Sequence, residues 1–362
     1  METIFFAHSI NVIGGAERVT LSIIESVKEQ YNTVMLAPSG NTLGEAVQNA
    51  GAKFQPVECI QPELAKPLKT LKQLYQYYKI FKSTKPKLVH VGDLLALRSL
   101  QPICKLMNIP MVCHVHFPYQ ASFIKWTFHK RYAPHTFIFC SEELKANLAP
   151  ELSRYCANSE MRVSHNGVDT DKFFPVERAE NKKPRIGIVA NLQYRKGHDD
   201  FLAMAKALID KGINAQFDII GGDILEEPRE SLLKQKAQDL GIAEHVVFHG
   251  QVDNVLELLH QLDVYVCASH EEAFPISILE AMACGKAIVS TNVNGIPEAI
   301  TDNVDGLLSE AQTPTILAEH VKQLLTNASF KNRLKESARK KVVNNFSQER
   351  FEEKIFSAYN KI

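Results

Sequence analysis

The sequence has no net charge, no C-x-x-C pair, no apolar run of membrane-spanning length and only one tryptophan. Most of these absences remove a class of protein. With 41 Lys and Arg against 41 Asp and Glu, the chain lacks the overall basic footprint that binds nucleic acid, and no nucleic-acid partner is expected. Its seven cysteines are odd in number and scattered, at 59, 104, 113, 140, 156, 267 and 284, which argues against a disulfide framework and against a zinc site. The opening METIFFAHSI lacks a basic leader region and a cleavage site, so a reducing cytoplasm is the expected home. No G-x-G-x-x-G follows the first strand of either half, which speaks against an NAD-dependent oxidoreductase.

What is present is a 362-residue chain with 45% hydrophobic content, enough for two domains, each with its own core. Strand candidates at Thr3–Ala7, Tyr31–Ala37, Leu88–Val91, Met111–Val115 and Thr136–Cys140 alternate with helical stretches. The alternation resumes at Arg185–Ala190, Phe217–Gly221, Val246–His249, Asp263–Ala268 and Ala287–Ser290. That rhythm predicts an α/β chain of parallel sheets with helices on both faces, binding ligands beyond the strand C-termini. The charged, proline-flanked Pro175–Pro184 reads as a link, giving domains at 1–175 and 185–345 with a linker at 176–184. Residues 346–362 carry a helical apolar stripe at Phe351, Ile355, Phe356 and Tyr359.

Charge is unevenly spread. Residues 61–135 hold twelve Lys and Arg against Glu63 and Asp93, interleaved with aromatics in Leu68–Phe81 (LKTLKQLYQYYKIF) and Phe123–Tyr132 (FIKWTFHKRY). Helices packed on a sheet with solvated lysines look like this. The same pattern suits an anionic membrane surface, contacted through residues 66–87 and 123–132.

The most informative stretch is Leu262–Gly285, LDVYVCASHEEAFPISILEAMACG, which reads as a strand, a loop and a helix from Ile276 to Cys284. Pro275 sits where the helix begins, so the first-turn amides near Ile276 and Ser277 point into the loop, where a polar hydroxyl or an anion can dock. Glu272 lies before the helix and Glu280 about one turn inside it. A glutamate capping the dipole and another facing solvent would explain both. A buried Glu280 would instead need a hydrogen-bonding ligand. Elsewhere, Gly14-Gly15 after the first strand lets backbone approach a ligand closely, and Arg195 and Lys196 beside Gly197 occupy a strand-to-helix turn suited to a diphosphate. The triplet Asp169-Thr170-Asp171 is a D-x-D that holds metal in other proteins but reads here as structural. CGKA at 284–287 lacks the Ser/Thr of a P-loop and follows its helix rather than preceding one.

Ser269, Glu272, Phe274, Glu280, Ala281 and Gly285 together resemble the E-x7-E signature of glycosyltransferase family 4, the retaining nucleotide-sugar enzymes. GGAER after the first strand, HNGVDTDKF ahead of the linker, VANLQYRKGH in the second half and NGIPEAI from Asn294 are similar to further stretches of that family, so the resemblance covers nearly the whole chain. It implies a GT-B fold: two Rossmann-like doubly wound domains facing across a cleft, with the C-terminal helix crossing back to the first. It implies that Glu280 holds the ribose hydroxyls, while Glu272 and the loop at Phe274, Pro275, Ile276 and Ser277 meet the donor sugar. Lys196 and Arg195 would meet the diphosphate, with Gly14 and Gly15 bordering it and His116 approaching the sugar from the first domain. Many members have Gly where Pro275 stands, and Arg where Asn191 stands.

The implied reaction moves a hexose or N-acetylhexosamine with retention from a nucleotide-sugar, UDP-sugar favoured and GDP-mannose possible, to a hydroxyl of a lipid-linked or surface-glycan acceptor. It needs no cofactor and no metal, and its place would be polysaccharide or lipopolysaccharide biosynthesis in the cytoplasm or peripherally on the inner face of the membrane. The alternatives are a non-catalytic nucleotide-sugar-binding protein of the same fold and a nucleotide-sugar epimerase. No residues are assigned to the acceptor.

Overall fold

Apolar runs rich in Val, Ile and Phe, too short for helices, become the inner strands of two parallel sheets. The computed structural model describes residues 1–63, 66–129, 131–178, 181–224, 228–252 and 254–362. They divide into one unit of Met1–His165 with Phe351–Ile362 and a second of Asn166–Arg350.

In the first unit the order is β1 (Thr3–Ala7), α1 (Gly15–Val27), β2 (Asn32–Ala37), α2 (Asn41–Asn49), β3 (Lys53–Pro56), α3 (Pro67–Thr84) and β4 (Leu88–Val91). There follow α4 (Leu94–Met107), β5 (Met111–Val115), α5 (Ala121–Phe128), β6 (Thr136–Phe139), α6 (Glu142–Ser153) and β7 (Glu160–Val163). The strands pair in parallel as β3-β2-β1-β4-β5-β6-β7. Central strands are buried on both faces, which is why Ile4, Phe5, Phe6, Val89, Val112 and Phe137 form continuous apolar runs rather than alternating ones.

The second unit runs β8 (Arg185–Val189), α7 (His198–Asp210), β9 (Gln216–Ile220), α8 (Arg229–Asp239), β10 (Val246–Gly250), α9 (Leu256–Gln261), β11 (Val264–Cys267) and α10 (Ile276–Ala283). It continues through β12 (Ala287–Thr291), α11 (Ile296–Ala299), β13 (Leu307–Ser309), α12 (Pro314–Thr326), α13 (Ala328–Asn345) and α14 (Gln348–Tyr359). Its parallel order is β10-β9-β8-β11-β12-β13. Ile186, Phe201, Phe217, Val264, Val289 and Leu317 belong to one core between sheet and helices. From Phe351 onward α14 belongs to the first unit, where Tyr359 Oη lies 2.7 Å from His90 Nδ1 and Phe351 stacks on His114.

Three departures from the sequence reading have physical causes. Residues 166–175, expected with the first domain, belong to the second unit: Asn166 Nδ2 donates to Phe274 O at 3.0 Å, and Arg339 donates to the carbonyls of Thr170, Phe173 and Ala283. The helix expected over 123–132 spans Ala121–Phe128 and ends there, with Arg131 N turning back to Phe128 O. Trp126 in that helix lies under the Arg98 guanidinium, 3.6 Å from its ring centroid, so one face of the ring is already covered. Lys130 of the basic tally and residues 179 and 180 of the expected linker lie outside the described residues.

A buried charge pair joins the first two strands of the second sheet. Asp218, without solvent exposure, accepts from Arg185 Nη2 at 2.7 Å and Nε at 3.0 Å, and lies 2.8 Å from His249 Nε2. Burial alone would raise its carboxyl, but hydrogen bonds from Arg185, His249 and Gln216 and the arginine charge hold it below the usual range. A depressed folded value means this stability is present above the unfolded pKa, near 4, and is lost as pH falls through the folded value. Asp218→Ala, which strands the arginine, is expected to cost about 3 kcal/mol in denaturant melts at pH 7. That deficit should shrink below about pH 4. A pH-independent deficit would assign the loss to packing.

Candidate functional site

Strand order decides which loops meet. In the second sheet the order reverses between β8 and β11, which pair directly through Val264 with Ile186 and Tyr265 with Gly187. At such a switch point the loops beyond the strand C-termini diverge to opposite sides and leave a crevice. The loop after β8 carries Asn191, Arg195 and Lys196, and the loop after β11 carries Glu272, Phe274 and Pro275.

Both loops are held by backbone bonds. Tyr194–Lys196 form one 3-10 turn, and Gly197 then enters α7 at φ +70°. A Cβ on Gly197 would lie 1.8 Å from Ala268 O, so glycine is required both by the left-handed backbone and by close approach to the second loop. His270 N donates to Arg195 O at 2.7 Å, Thr291 Oγ1 to Ser269 O at 2.6 Å, and Glu272 N to Asn294 Oδ1 at 3.2 Å. The side chains meet as well. Lys196 Nζ forms an ion pair with Glu272 Oε2, and His270 Nε2 lies 2.6 Å from Asp200 Oδ2 in the first turn of α7. His270, Asp200 and Asn294 were given no site role from sequence. A partner seventy residues away leaves no local pattern.

Pro275 caps α10, whose first residues are Ile276 and Ser277. Ser277 Oγ accepts from Tyr265 Oη at 2.8 Å, and Phe274 packs 5.5 Å from Phe346. Glu280 is only 7% exposed, so it does not face solvent. Burial foremost pushes the Tyr265 phenol well up, and the Glu280 and Glu272 carboxylates push the same way, so both charges bear on the end of β11. Burial likewise raises the Cys267 thiol, with Glu272 adding to the rise and Lys196 opposing it. Asn191 offers its carbonyl to Gln193 N at 2.7 Å. His198, at the start of α7, is driven down to about 4 by burial, then by the Arg229 and Lys196 charges, and is neutral at pH 7.

In the first unit the switch lies between β1 and β4. Gly14 caps α1, and its N–H donates to Glu17 Oε2 at 2.9 Å, while Gly15 is exposed. His8, just past β1, lies 3.2 Å from Glu17 Oε1 and 3.8 Å from Asp93 Oδ2. Burial would lower His8, yet the hydrogen bond and charge of Glu17, with Asp93, carry it above its usual value. His116 follows β5 and is buried beside His114, ring centroids 4.1 Å apart, and its Nε2 has no hydrogen-bond partner among the described residues. Burial, then the His8 charge, push His116 down to about 3. His116, Gly14 and Gly15 thus belong to one unit, and the other residues singled out from sequence to the second. Asp169 Oδ1 caps the amides of Asp171 and Lys172 at 3.0 and 2.9 Å. Among the described residues no group of three or more His, Cys, Asp and Glu has metal-binding geometry.

A family model described as "Glycosyl transferases group 1" matches residues 169–341, and one described as "Glycosyltransferase Family 4" matches residues 13–172. The N,N'-diacetylbacillosaminyl-diphospho-undecaprenol alpha-1,3-N-acetylgalactosaminyltransferase of Campylobacter jejuni is 31% identical over 219 residues, 56% of this chain and 54% of that protein. The N-acetyl-alpha-D-glucosaminyl L-malate synthase of Bacillus anthracis is 31% identical over 214 residues, 57% and 54% of the two chains. The chain therefore spans about half the length of the curated relatives it matches. In fold it is similar to HepE of Anabaena, solved with UDP-glucose, at a TM-score of 0.87 and 16% identity over the whole of both chains.

The clamp at Gly197 is testable without substrate. Gly197→Ala is expected to lower stability by at least about 2 kcal/mol, read as a fall in Tm. An unchanged Tm would mean that the two loops are not held in contact.

Proposed function

We propose, since the chain belongs to glycosyltransferase family 4, that it transfers a sugar from a nucleotide-sugar to a hydroxyl of a lipid-linked or surface-glycan acceptor. The observation that carries this reading is the meeting of Lys196 and Glu272 at the β8/β11 switch point, beside the N-terminus of α7. A departing diphosphate gathers negative charge in the transition state, and Lys196, Arg195 and first-turn helix amides oppose that charge with little reorganisation. The burial of Glu280 supports its assignment to the ribose, because a sheltered carboxylate can accept from both vicinal hydroxyls at once. Glu272 and the loop to Ser277 are assigned to the donor sugar, Asn191, Gly14 and Gly15 to the borders of the diphosphate, and neutral His116 to a sugar hydroxyl.

We assign a retaining, front-face course, in which the acceptor hydroxyl loses its proton to the leaving phosphate and no cofactor or metal takes part. The D-x-D carboxylate of Asp169 supports the metal-free reading, being already used to cap two amides. The donor is a hexosyl or N-acetylhexosaminyl UDP-sugar first, with GDP-mannose second. The name of the Campylobacter relative, which acts on a diphospho-undecaprenol sugar, supports a lipid-linked acceptor.

Contact with an anionic membrane from the cytoplasmic side is part of the same proposal, and α3 supports it. Gln73, Tyr77 and Phe81 are buried, while Leu68, Leu71 and Tyr75 are 83%, 61% and 58% exposed on one stripe. Lys79 lies over the Tyr75 ring and Lys82 over Tyr78, bringing cations to the same face. Among the described residues no helix is long and apolar enough to cross a membrane.

Thermal unfolding in EDTA tests the donor site. UDP, or failing that GDP, at a hundred times its Kd is expected to add about 2.7 kcal/mol of stability, and Glu280→Ala to abolish the gain. Stabilisation by NAD alone would overturn the reading. For the membrane, native protein is expected to sediment with anionic but not neutral liposomes, and a variant with Lys69, Lys72, Lys79 and Lys82 all changed to Glu to lose binding. Native protein that stays in the supernatant removes that contact.

A further inference from the structure

The Lys196–Glu272 ion pair joins two residues that the preceding reading gives to different parts of one donor. Their side chains are 16% and 12% exposed, so little water screens the pair. Neighbouring acids at the start of α7 are occupied elsewhere: Asp199 by Arg229 and Lys236, Asp200 by His270. The Glu272 backbone is fixed without the pair, by Asn294 Oδ1 on its N–H and by Gly295 N on its carbonyl at 3.2 Å. Exchange of partners at Lys196 therefore needs only side-chain rotation.

We infer that Glu272 is an internal competitor for Lys196 which makes this site favour an intact nucleotide-sugar over the spent nucleoside diphosphate. The inference rests on the donor-site reading. A diphosphate arriving at Lys196 brings like charge against the Glu272 carboxylate. If the ligand still carries its sugar, the sugar hydroxyls donate to that carboxylate and replace what the lysine withdraws. A bare nucleoside diphosphate offers no such donor, so the carboxylate returns to the lysine and opposes binding. Loss of the sugar thus weakens the hold on the leaving group, and product release follows from the return of Glu272 to Lys196.

Calorimetric titration of native protein, Glu272→Gln and Glu272→Ala with UDP, or with GDP if that is the base bound, decides the matter, with circular dichroism and Tm confirming that each variant is folded. Removing the charge is expected to tighten nucleoside diphosphate binding by about three- to tenfold in both variants. The corresponding nucleotide-sugar, UDP-glucose or GDP-mannose, should gain less, so the preference for it narrows. Unchanged or weaker diphosphate binding in folded variants overturns the inference and leaves the donor site standing. Failure of native protein to bind UDP, GDP or either nucleotide-sugar overturns the donor site and the inference together.

Discussion

The direct pairing of β8 with β11 is the constraint on which the second unit's chemistry depends. Strands that are far apart in sequence become neighbours, and their following loops emerge side by side at the carboxyl edge of the sheet. Everything local then serves that proximity: Gly197 removes the side chain that would strike Ala268 O, and the His270 amide closes on Arg195 O. Had β8 paired with a different strand, Lys196 and Glu272 would be separated by at least one strand spacing of about 4.8 Å more, beyond ion-pair reach.

Once the loops are adjacent, electrostatics sets what the crevice accepts. Lys196, Arg229 and Lys236 near the start of α7 are balanced by Glu272 and Asp199, so the crevice is not an open field of positive charge. On the inference drawn above, an anion would gain there by replacing a carboxylate rather than by filling unmet charge. Such a site rewards a ligand that compensates the displaced acid, which places selectivity in the difference between two bound states rather than in the strength of either.

The inner strands were legible because both of their faces are buried. β1, β4 and β5 lie where uninterrupted apolar runs put them. The strands that sequence reading missed are β3, β7 and β13, all at sheet edges, where KFQP, EMRV and LLS are short and two of the three are largely polar. The same contrast holds at the site. Glu272 and Glu280 were visible because one loop and one helix carry both at fixed spacing. Asp200, His270 and Asn294 were not, since each acts through a neighbour supplied by the fold. The boundary after His165 was equally hidden: Arg339 gathers Thr170 and Phe173 from across the sequence, and nothing local to those residues announces it.

The two sheets share a plan but not a charge state. At the first unit's switch, Glu17 and Asp93 carry His8 above its usual value, while burial foremost, with neighbouring histidine charge second, pushes His90 and His116 down to about 3. Those two neighbours are neutral imidazoles at pH 7, which exchange hydrogen bonds with hydroxyls without carrying charge. Gly14's amide is given to Glu17 Oε2. Of the two switch points, the second unit's brings a lysine beside a helix N-terminus, whereas the first unit's brings a histidine whose raised pKa rests on two carboxylates.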